Sequence, residues 1–257
     1  MNKPKILLIH GWDHANYTSS GCKNAWSKRS KFVKALSELF SVVAINLPGF
    51  CGEPDPQQPW NLDDYVSYID KVMVREKPDA ILGYSFGGAI VLRWKKTNMD
   101  KKVQTFLVSP AIIRRYEKAD LSLLQKILKR MLPEKLVSLL RDIYLTQVVK
   151  NPFYSKATGV MRTTYRNIVA VDLRDDLLGL QVPVTLIYGE KDTATPPEFV
   201  REVVGNARAR HELFVISSGS HDIANSHTTE LVNIIAEAMG KEDGNDSRSE
   251  DTSRDTA

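Results

Sequence analysis

The chain has 257 residues, of which 42% are hydrophobic and 26% charged, an ordinary balance for a folded globular protein. This length fits one larger α/β domain and can bury a substantial core. The formal net charge of +4 is small for this size. It does not indicate a nucleic-acid-binding protein, which usually carries a dense basic stripe.

The number of cysteines and the length of the apolar runs indicate where the protein is expected to reside. Cys22 and Cys51 are too few for a disulfide framework and match no metal-ligand spacing, but they leave room for one bridge. Residues 1–4 lead straight into a short apolar run, so we expect no signal peptide. No apolar run approaches the roughly 20 residues that a membrane-spanning helix needs. We therefore expect a cytoplasmic protein without stable membrane insertion.

Short β-rich runs alternate along the chain with longer amphipathic segments, which is typical of βαβ units and a parallel sheet. We predict strands at residues 5–10, 41–47, 79–84, 103–109, 182–188 and 212–217. Most are continuous apolar runs, as expected for strands that helices cover on both faces. Helical spacing occurs at residues 25–39, 62–77, 88–97, 198–204 and 225–239. The predicted fold class is α/β, with a mostly parallel central sheet flanked by helices.

Residues 112–171 interrupt this alternation. They contain helix-like stretches at 121–131 and 134–144, with Pro133 at a break, and they lie between two predicted strands. We therefore predict a helical cap or lid over a core formed by residues 1–111 and 172–240. Residues 241–257 are polar and acidic with almost no apolar residues, which predicts a disordered tail.

The predicted cap is basic. Residues 111–170 contain 12 Lys or Arg against 4 Asp or Glu, a surplus that exceeds the net charge of the whole chain. One interpretation is a solvated helical face. The other is a cationic rim that favours anionic ligands, which charge reversal of Arg114 and Arg115 would test.

The most informative motif is Gly83-Tyr84-Ser85-Phe86-Gly87, which stands between a predicted strand and a predicted helix. At such a junction the chain turns sharply and exposes the serine hydroxyl above the sheet edge. Small residues are needed on either side because the neighbouring backbone comes close. The motif therefore predicts that Ser85 is a nucleophile.

A serine hydroxyl needs a base within hydrogen-bond reach and a third group that orients the base. Asp192 follows the strand at 182–188, and His221 follows the strand at 212–217. Residues just past the carboxyl ends of parallel strands converge on one edge of a sheet. The chain order Ser85, Asp192, His221 therefore predicts a catalytic triad.

At these positions, and over nearly all of residues 5–240, the chain resembles the α/β-hydrolase superfamily, which uses the order Ser, Asp, His. Asn46 stands where that superfamily usually has Asp in its D-x-P-G turn. The local matches are the following segments: His10-Gly11-Trp12, Asn46-Leu47-Pro48-Gly49-Phe50, Thr195-Pro196-Pro197 after Asp192, and Gly219-Ser220-His221.

The resemblance implies a role for each matched residue. Ser85 would attack an acyl carbon, His221 would move the proton, and Asp192 would orient the imidazole. The backbone N–H groups of Trp12 and Phe86 would form the oxyanion hole. We expect the substrate pocket to involve His10, Gly11 and Tyr84, although a brace for the oxyanion loop is the favoured role of His10. No cofactor and no metal are expected.

Several other ionisable residues compete for these roles. Asp222 adjoins His221, but a sequence neighbour is poorly placed to reach the imidazole nitrogen that faces away from the serine. The carboxylates before Leu177 resemble the acidic first turn of a helix. The histidines outside the motifs are expected to be structural. These competitors are Asp172, Asp175, Asp176, His14, His211 and His227.

The resemblance favours a serine hydrolase that cleaves a small carboxylic ester, thioester or lactone through an acyl-enzyme. Carbon–carbon bond hydrolysis and amide hydrolysis by the same fold stay open. A ligand-binding protein that has lost turnover is a second class. A third is a protein that rests on a lipid surface through the cap helices. The oligomeric state and the substrate's identity are not determined by the sequence.

Overall fold

The fold is built on a six-stranded sheet in the computed structural model, which describes residues 3–114 and 151–245. In chain order the strands are β1 (Lys5–Ile9), β2 (Ser41–Ile45), β3 (Ala80–Tyr84), β4 (Gln104–Val108), β5 (Thr185–Gly189) and β6 (Glu212–Ile216). Their spatial order is β2-β1-β3-β4-β5-β6, and every neighbouring pair is parallel. The predicted α/β class with a mostly parallel sheet is therefore confirmed.

Helices connect these strands. They are α1 (Ser30–Leu39), α2 (Leu62–Glu76), α3 (Phe86–Thr97), α4 (Pro152–Ser155), α5 (Gly159–Val169), α6 (Arg174–Leu178), α7 (Pro197–Gly205), α8 (Ile223–Ser226) and α9 (Thr228–Asn245). The segment predicted as one helix at residues 25–39 is instead a 3₁₀ turn at Ser27–Arg29 followed by α1. Helix α3 begins at Phe86, two residues earlier than predicted, so it starts directly after Ser85.

Local sequence explains where α2 begins and ends. The Asn61 side chain accepts hydrogen bonds from the backbone of Asp63 and Asp64, and the Asp64 carboxylate accepts from the Asn61 N–H. This capping box satisfies donors that the first helical turn leaves free. At the other end, Lys77 adopts a left-handed conformation that stops the helix.

Side chains alternate between two apolar layers, one on each face of the sheet. In β1, Leu7 and Ile9 pack into a layer with helices α2 and α3. Ile6 and Leu8 point to the opposite layer, which helices α1 and α9 cover. All four side chains have no exposed surface. This double coverage explains why the strand sequences are continuous apolar runs instead of alternating ones.

Two predicted regions extend beyond the described residues. Of the predicted cap, residues 151–171 contain α4 and α5, whereas the helices predicted at 121–131 and 134–144 lie outside. The boundaries of the cap therefore stay a prediction. Helix α9 is assigned through Asn245 and so enters the segment predicted to be a disordered tail, which stays a prediction. Residues 246–257 of that tail lie outside the described residues.

Within residues 3–114 and 151–245, no helix has the length and apolar character that crossing a membrane requires.

A disulfide joins Cys22 to Cys51, in the loops that follow β1 and β2. Asn46 reinforces the same junction, since its side-chain N–H₂ donates to the carbonyls of Lys23 and Cys51 while its oxygen accepts from the Ala25 N–H. A carboxylate could not donate those two bonds. This explains why Asn46 stands at a position where the superfamily that the chain resembles usually has Asp. The single bridge that the two cysteines allowed is therefore formed. The cytoplasmic location stays a prediction.

Replacing both Cys22 and Cys51 by Ser should lower the free energy of unfolding by about 3 kcal/mol, because the crosslink restricts the unfolded chain. Urea unfolding of the double variant and of wild type, each with and without dithiothreitol, measures the effect. The reductant should destabilise wild type alone. Two free thiols in protein purified without reductant, together with no effect of the reductant, would contradict the bridge.

Candidate active site

Ser85 occupies the sharp turn between β3 and α3. Its backbone has φ +52° and ψ −111°, a conformation that a non-glycine residue rarely adopts. Hydrogen bonds hold the turn in place, since its N–H donates to the Val108 carbonyl at 2.9 Å and its carbonyl accepts from Ala111 at 3.0 Å. The strained turn leaves Ser85 half-buried and directs its hydroxyl to the edge where the strands end.

The glycines beside Ser85 are required by close backbone packing. A Cβ on Gly87 would lie 2.2 Å from the Ile9 carbonyl oxygen, and one on Gly83 would lie 2.4 Å from the Gly87 carbonyl oxygen. Neither clash could be relieved by rotating a side chain. The motif is therefore a packing requirement that brings the start of α3 against the end of β1.

His221 lies between Ser85 and Asp192. Its Nε2 is 3.1 Å from the Ser85 Oγ, and its Nδ1 is 2.8 Å from the Asp192 Oδ2. The Asp192 side chain is fully buried, whereas that of His221 is 31% exposed. The three residues predicted from the sequence are therefore brought together, although 136 positions separate Ser85 from His221.

The Asp192 carboxylate receives four hydrogen bonds. The backbone N–H groups of Ala194 and Thr195 donate to Oδ1, while the Thr195 hydroxyl and the His221 ring share Oδ2. Burial alone would raise the pKa of Asp192, but these hydrogen bonds and the His221 charge outweigh it and lower the pKa. Asp192 is thus suited to stay ionised beside the imidazole.

The loop after β1 lies directly against Ser85. A Cβ added to Gly11 would be 3.1 Å from the Ser85 Cβ, so the backbone there passes very close to the serine. Within the described part of the chain, the N–H groups of Trp12 and Phe86 donate to no protein acceptor. Phe86 is also the first residue of α3, where N–H groups lack intrahelical partners. Both donors predicted for the oxyanion hole are therefore without an acceptor among residues 3–114 and 151–245.

His10 braces this loop. Its Nε2 accepts a hydrogen bond from the Leu47 N–H at 2.9 Å, which leaves the proton on Nδ1 to donate to the Gly11 carbonyl at 2.8 Å. Burial lowers the pKa of His10 to about 4, so the ring is neutral at pH 7. The side chain is 2% exposed. His10 therefore takes the bracing position, which was its favoured role. The 2% exposed side chain does not line an open pocket, which was the other role predicted for it.

Tyr84 also differs from the predicted pocket position. Its side chain is 1% exposed and packs in the layer beneath α1 and α9. Its hydroxyl donates to the backbone carbonyl of His221. The side chain thus lies under the histidine loop, because successive residues of a strand point to opposite faces of the sheet.

Aromatic rings surround the loop after β1. The Trp12 ring is 5.2 Å from that of Phe86 and 5.5 Å from that of Tyr165, and Phe153 stacks on Tyr165 at 5.9 Å. The Trp12 Nε1 donates to the Tyr17 hydroxyl, which in turn donates to the Phe153 carbonyl. These contacts tie the loop to the returning end of the predicted cap.

The competing carboxylates are used elsewhere. Asp222 accepts from Arg29 and Asn225. Asp175 and Asp176 lie in the first turn of α6, as predicted, and Asp172 accepts from the backbone of Arg114 and Arg174.

The remaining histidines lie away from Ser85. His211 contacts the Val184 N–H and the Leu177 carbonyl at the opposite end of the strands. His14 lies against the Phe153 ring, and His227 contacts Ser226. None of these contacts includes a triad residue.

Arg114 is not positioned as a free cation for an anionic substrate. Its guanidinium donates to the carbonyls of Val171 and Ile168. These bonds close the two ends of the predicted cap against each other. Charge reversal at Arg114 would therefore disturb the fold before it tested substrate charge, and Arg115 lies outside the described residues.

The roles of Thr195 and Arg29 were not predicted from the sequence. Thr195 was visible only as part of a motif match, and no pattern in the sequence pairs Arg29 with Asp222.

A wide cavity of about 1050 Å³ opens at the other end of the sheet, next to Val103, Val184 and His211. It lies at the amino ends of the strands, so it is remote from Ser85 and takes no part in this site.

Gly87→Ala should reduce reaction of Ser85 with a covalent serine probe by more than about 100-fold, because the new methyl group displaces the start of α3 from β1. The rate of fluorophosphonate labelling measures this, with circular dichroism recording the folded state. Gly205→Ala is the matched control, since a Cβ there has no neighbour within 4 Å. Equal labelling and stability of both variants would contradict the close packing.

Because His10 is buried and neutral, we expect the free energy of unfolding to fall in mild acid. Its folded pKa of about 4 lies below the unfolded value of 6.5, so between these pH values the unfolded state binds a proton that the folded state does not. This contribution is complete above pH 6.5 and is lost as the pH falls toward 4. We expect the difference in unfolding free energy between pH 7.5 and 5.0 to be about 2 kcal/mol smaller in His10→Gln than in wild type.

Urea unfolding of both proteins at the two pH values provides the measurement. His211 also has a pKa lowered by burial, so only the comparison of variant with wild type isolates His10. An equal pH dependence in the two proteins would show that His10 is not held neutral.

The chain is similar to several known proteins along most of its length. One relative is the AB hydrolase superfamily protein YisY of Bacillus subtilis, which is 24% identical over 90% of both chains. Another is a pimeloyl-(acyl-carrier protein) methyl ester esterase of Pseudoalteromonas atlantica, 24% identical over 89% of this chain and 92% of the relative. The structure of an esterase from Exiguobacterium antarcticum superposes with a TM-score of 0.65 at 19% identity, covering 92% of each chain.

The sequence profile of the alpha/beta hydrolase family matches residues 6–234. This match includes the elbow at Ser85 and the positions of Asp192 and His221, and it spans most of the chain. The protein belongs to the alpha/beta hydrolase family.

Proposed function

We propose that the protein is a serine hydrolase that cleaves a small carboxylic ester through an acyl-enzyme intermediate. The observation that supports this most strongly is the continuous hydrogen-bond path from Ser85 through His221 to Asp192, at 3.1 Å and 2.8 Å. Such a path makes a serine hydroxyl nucleophilic, because the imidazole can accept its proton as the oxygen attacks.

In the first half of the reaction, the Ser85 Oγ bonds to the ester carbonyl carbon while its proton passes to the His221 Nε2. The negative charge that develops on the carbonyl oxygen is stabilised by the free N–H groups of Trp12 and Phe86. The carbon–oxygen bond to the alcohol then breaks, and the alcohol leaves with the proton from His221. Asp192 stabilises the imidazolium throughout.

In the second half, a water molecule gives a proton to His221 and its oxygen bonds to the acyl carbon. The tetrahedral intermediate collapses, the bond to the Ser85 Oγ breaks, and Ser85 recovers its proton from His221. The carboxylic acid leaves. The same residues thus serve both halves, and no metal or cofactor is needed for either.

The described surroundings favour an apolar acyl group. Trp12, Phe153 and Tyr165 are half-buried rings that lie together beside the oxyanion loop. Aromatic surfaces of this kind stabilise apolar groups that leave water. The names of the relatives add one specific alternative, an ester whose acyl chain is attached to a carrier protein, as the Pseudoalteromonas atlantica esterase's name states for that enzyme.

Ser85→Ala should abolish fluorophosphonate labelling and lower ester hydrolysis by about 10⁴-fold or more, because no other side chain supplies the attacking oxygen. Ser109→Ala is the matched control. Ser109 follows the neighbouring strand β4 and is fully buried, and within the described residues its hydroxyl has no partner. Labelling of Ser85→Ala, or no labelling of folded wild type, would overturn the proposal and favour a ligand-binding protein.

A substrate panel then separates the reaction types. We expect p-nitrophenyl esters to be hydrolysed, with the rate changing along a series of rising acyl length. Acyl thioesters, amides, a carbon–carbon bond substrate and a carrier-linked methyl ester complete the panel. If the protein is labelled at Ser85 but cleaves only one of these additional substrates, that substrate identifies the reaction, and the serine mechanism stays the same.

A further inference from the structure

We propose that Tyr84, together with Arg29 and Asp222, is a positioning group that holds His221 in hydrogen-bond reach of Ser85. The inference rests on the proposed function, since it concerns the base of the same triad. It assigns a role to the residue that directly precedes the nucleophile and to an ion pair beneath the histidine loop.

The first link is between the nucleophile strand and the backbone of the base. The Tyr84 hydroxyl donates to the His221 carbonyl, although 137 positions separate the two residues. Because Tyr84 is the last residue of β3 and Ser85 follows it, one rigid strand carries both the nucleophile and the anchor of its base. A shift of the histidine loop relative to Ser85 would therefore break this hydrogen bond.

The second link is an ion pair next to it. The Arg29 Nε donates to the Asp222 Oδ1 at 2.9 Å, and its guanidinium lies 4.4 Å from the centre of the Tyr84 ring. The Arg29 side chain is 17% exposed, so it is largely withdrawn from water. Because Asp222 follows His221, two consecutive residues of the loop contact the buried Tyr84, and the second of them is also paired with Arg29. A guanidinium over an aromatic face adds attraction to this contact.

The number of available protons supports the Tyr84 hydroxyl as the donor to the His221 carbonyl. Tyr84 has one hydroxyl proton, and the Asp222 Oδ1 lies farther from the hydroxyl, at 3.3 Å, than the His221 carbonyl does. Burial raises the pKa of Tyr84, so the hydroxyl keeps its proton and acts as a donor. Arg29 neutralises Asp222, which leaves the tyrosine proton for the His221 carbonyl.

Tyr84 is a positioning residue and not a catalytic one, because its hydroxyl contacts the His221 backbone and the Asp222 carboxylate and not the reacting atoms. Asp192 and Ser85 form hydrogen bonds with the two ring nitrogens of His221. Neither bond holds the main chain of His221, whose side chain is 31% exposed. A displacement of about 1 Å at a reacting group can cost about 100-fold in rate. The anchor therefore acts on the rate of the chemical step, not on substrate affinity.

The test compares Tyr84→Phe with Tyr188→Phe. Tyr188 is a matched control, because it is a buried strand tyrosine whose hydroxyl also donates to a backbone carbonyl, that of Pro110 at 3.4 Å. We expect Tyr84→Phe to lower kcat and the rate of fluorophosphonate labelling by about tenfold, with KM unchanged. Tyr188→Phe should keep both rates within about twofold of wild type, at a similar loss of thermal stability.

Asp222→Asn provides a second route if Tyr84→Phe does not fold, since its side chain is 45% exposed. It should lower kcat by about threefold with KM unchanged, and the double variant with Tyr84→Phe should lose less than the product of the two effects. Rates equal to wild type in Asp222→Asn, or equal losses in Tyr84→Phe and Tyr188→Phe, would overturn the inference alone. Absence of labelling in wild type would instead overturn the proposed function.

Discussion

The close approach of α3 to the end of β1 is the constraint on which the site depends. The backbone of Gly87 contacts the Ile9 carbonyl so tightly that no side chain fits between them. Beside this contact the turn at Ser85 adopts φ +52°, and the loop after β1 lies against the serine. Strain of this kind persists only where surrounding bonds over-determine it, and three backbone hydrogen bonds to the Ser85 carbonyl do so here.

Around this fixed turn, the site is assembled from loops that come from distant parts of the chain. Each loop is tied down by a polar side chain. His10 holds the loop after β1 to the loop after β2, and Thr195 holds the Asp192 carboxylate. Tyr84 reaches under the histidine loop. Because unpaired polar groups are costly in a buried setting, these bonds set the geometry as well as satisfying each donor.

Much of the architecture follows from local pattern. Apolar runs located the six described strands to within a few residues. The runs are most continuous in the central strands, which are covered on both faces and so need apolar side chains in both directions. The elbow motif and the order of Ser85, Asp192 and His221 identified residues that the fold brings into contact. The early start of α3 was missed because glycines normally disfavour a helix interior, whereas here tertiary packing demands them.

The sequence by itself determined the fold class, the position of the elbow and the residues at the strand ends, since these depend on short-range periodicity and on chain order. Only the tertiary structure decided what Tyr84, His10 and Arg29 do. Their roles depend on which face of the sheet each side chain leaves from and on partners that are far along the chain, as with Arg29 and Asp222, 193 positions apart. A local pattern carries no information about such a partner, because the contact exists only once the sheet has brought both loops to the same edge.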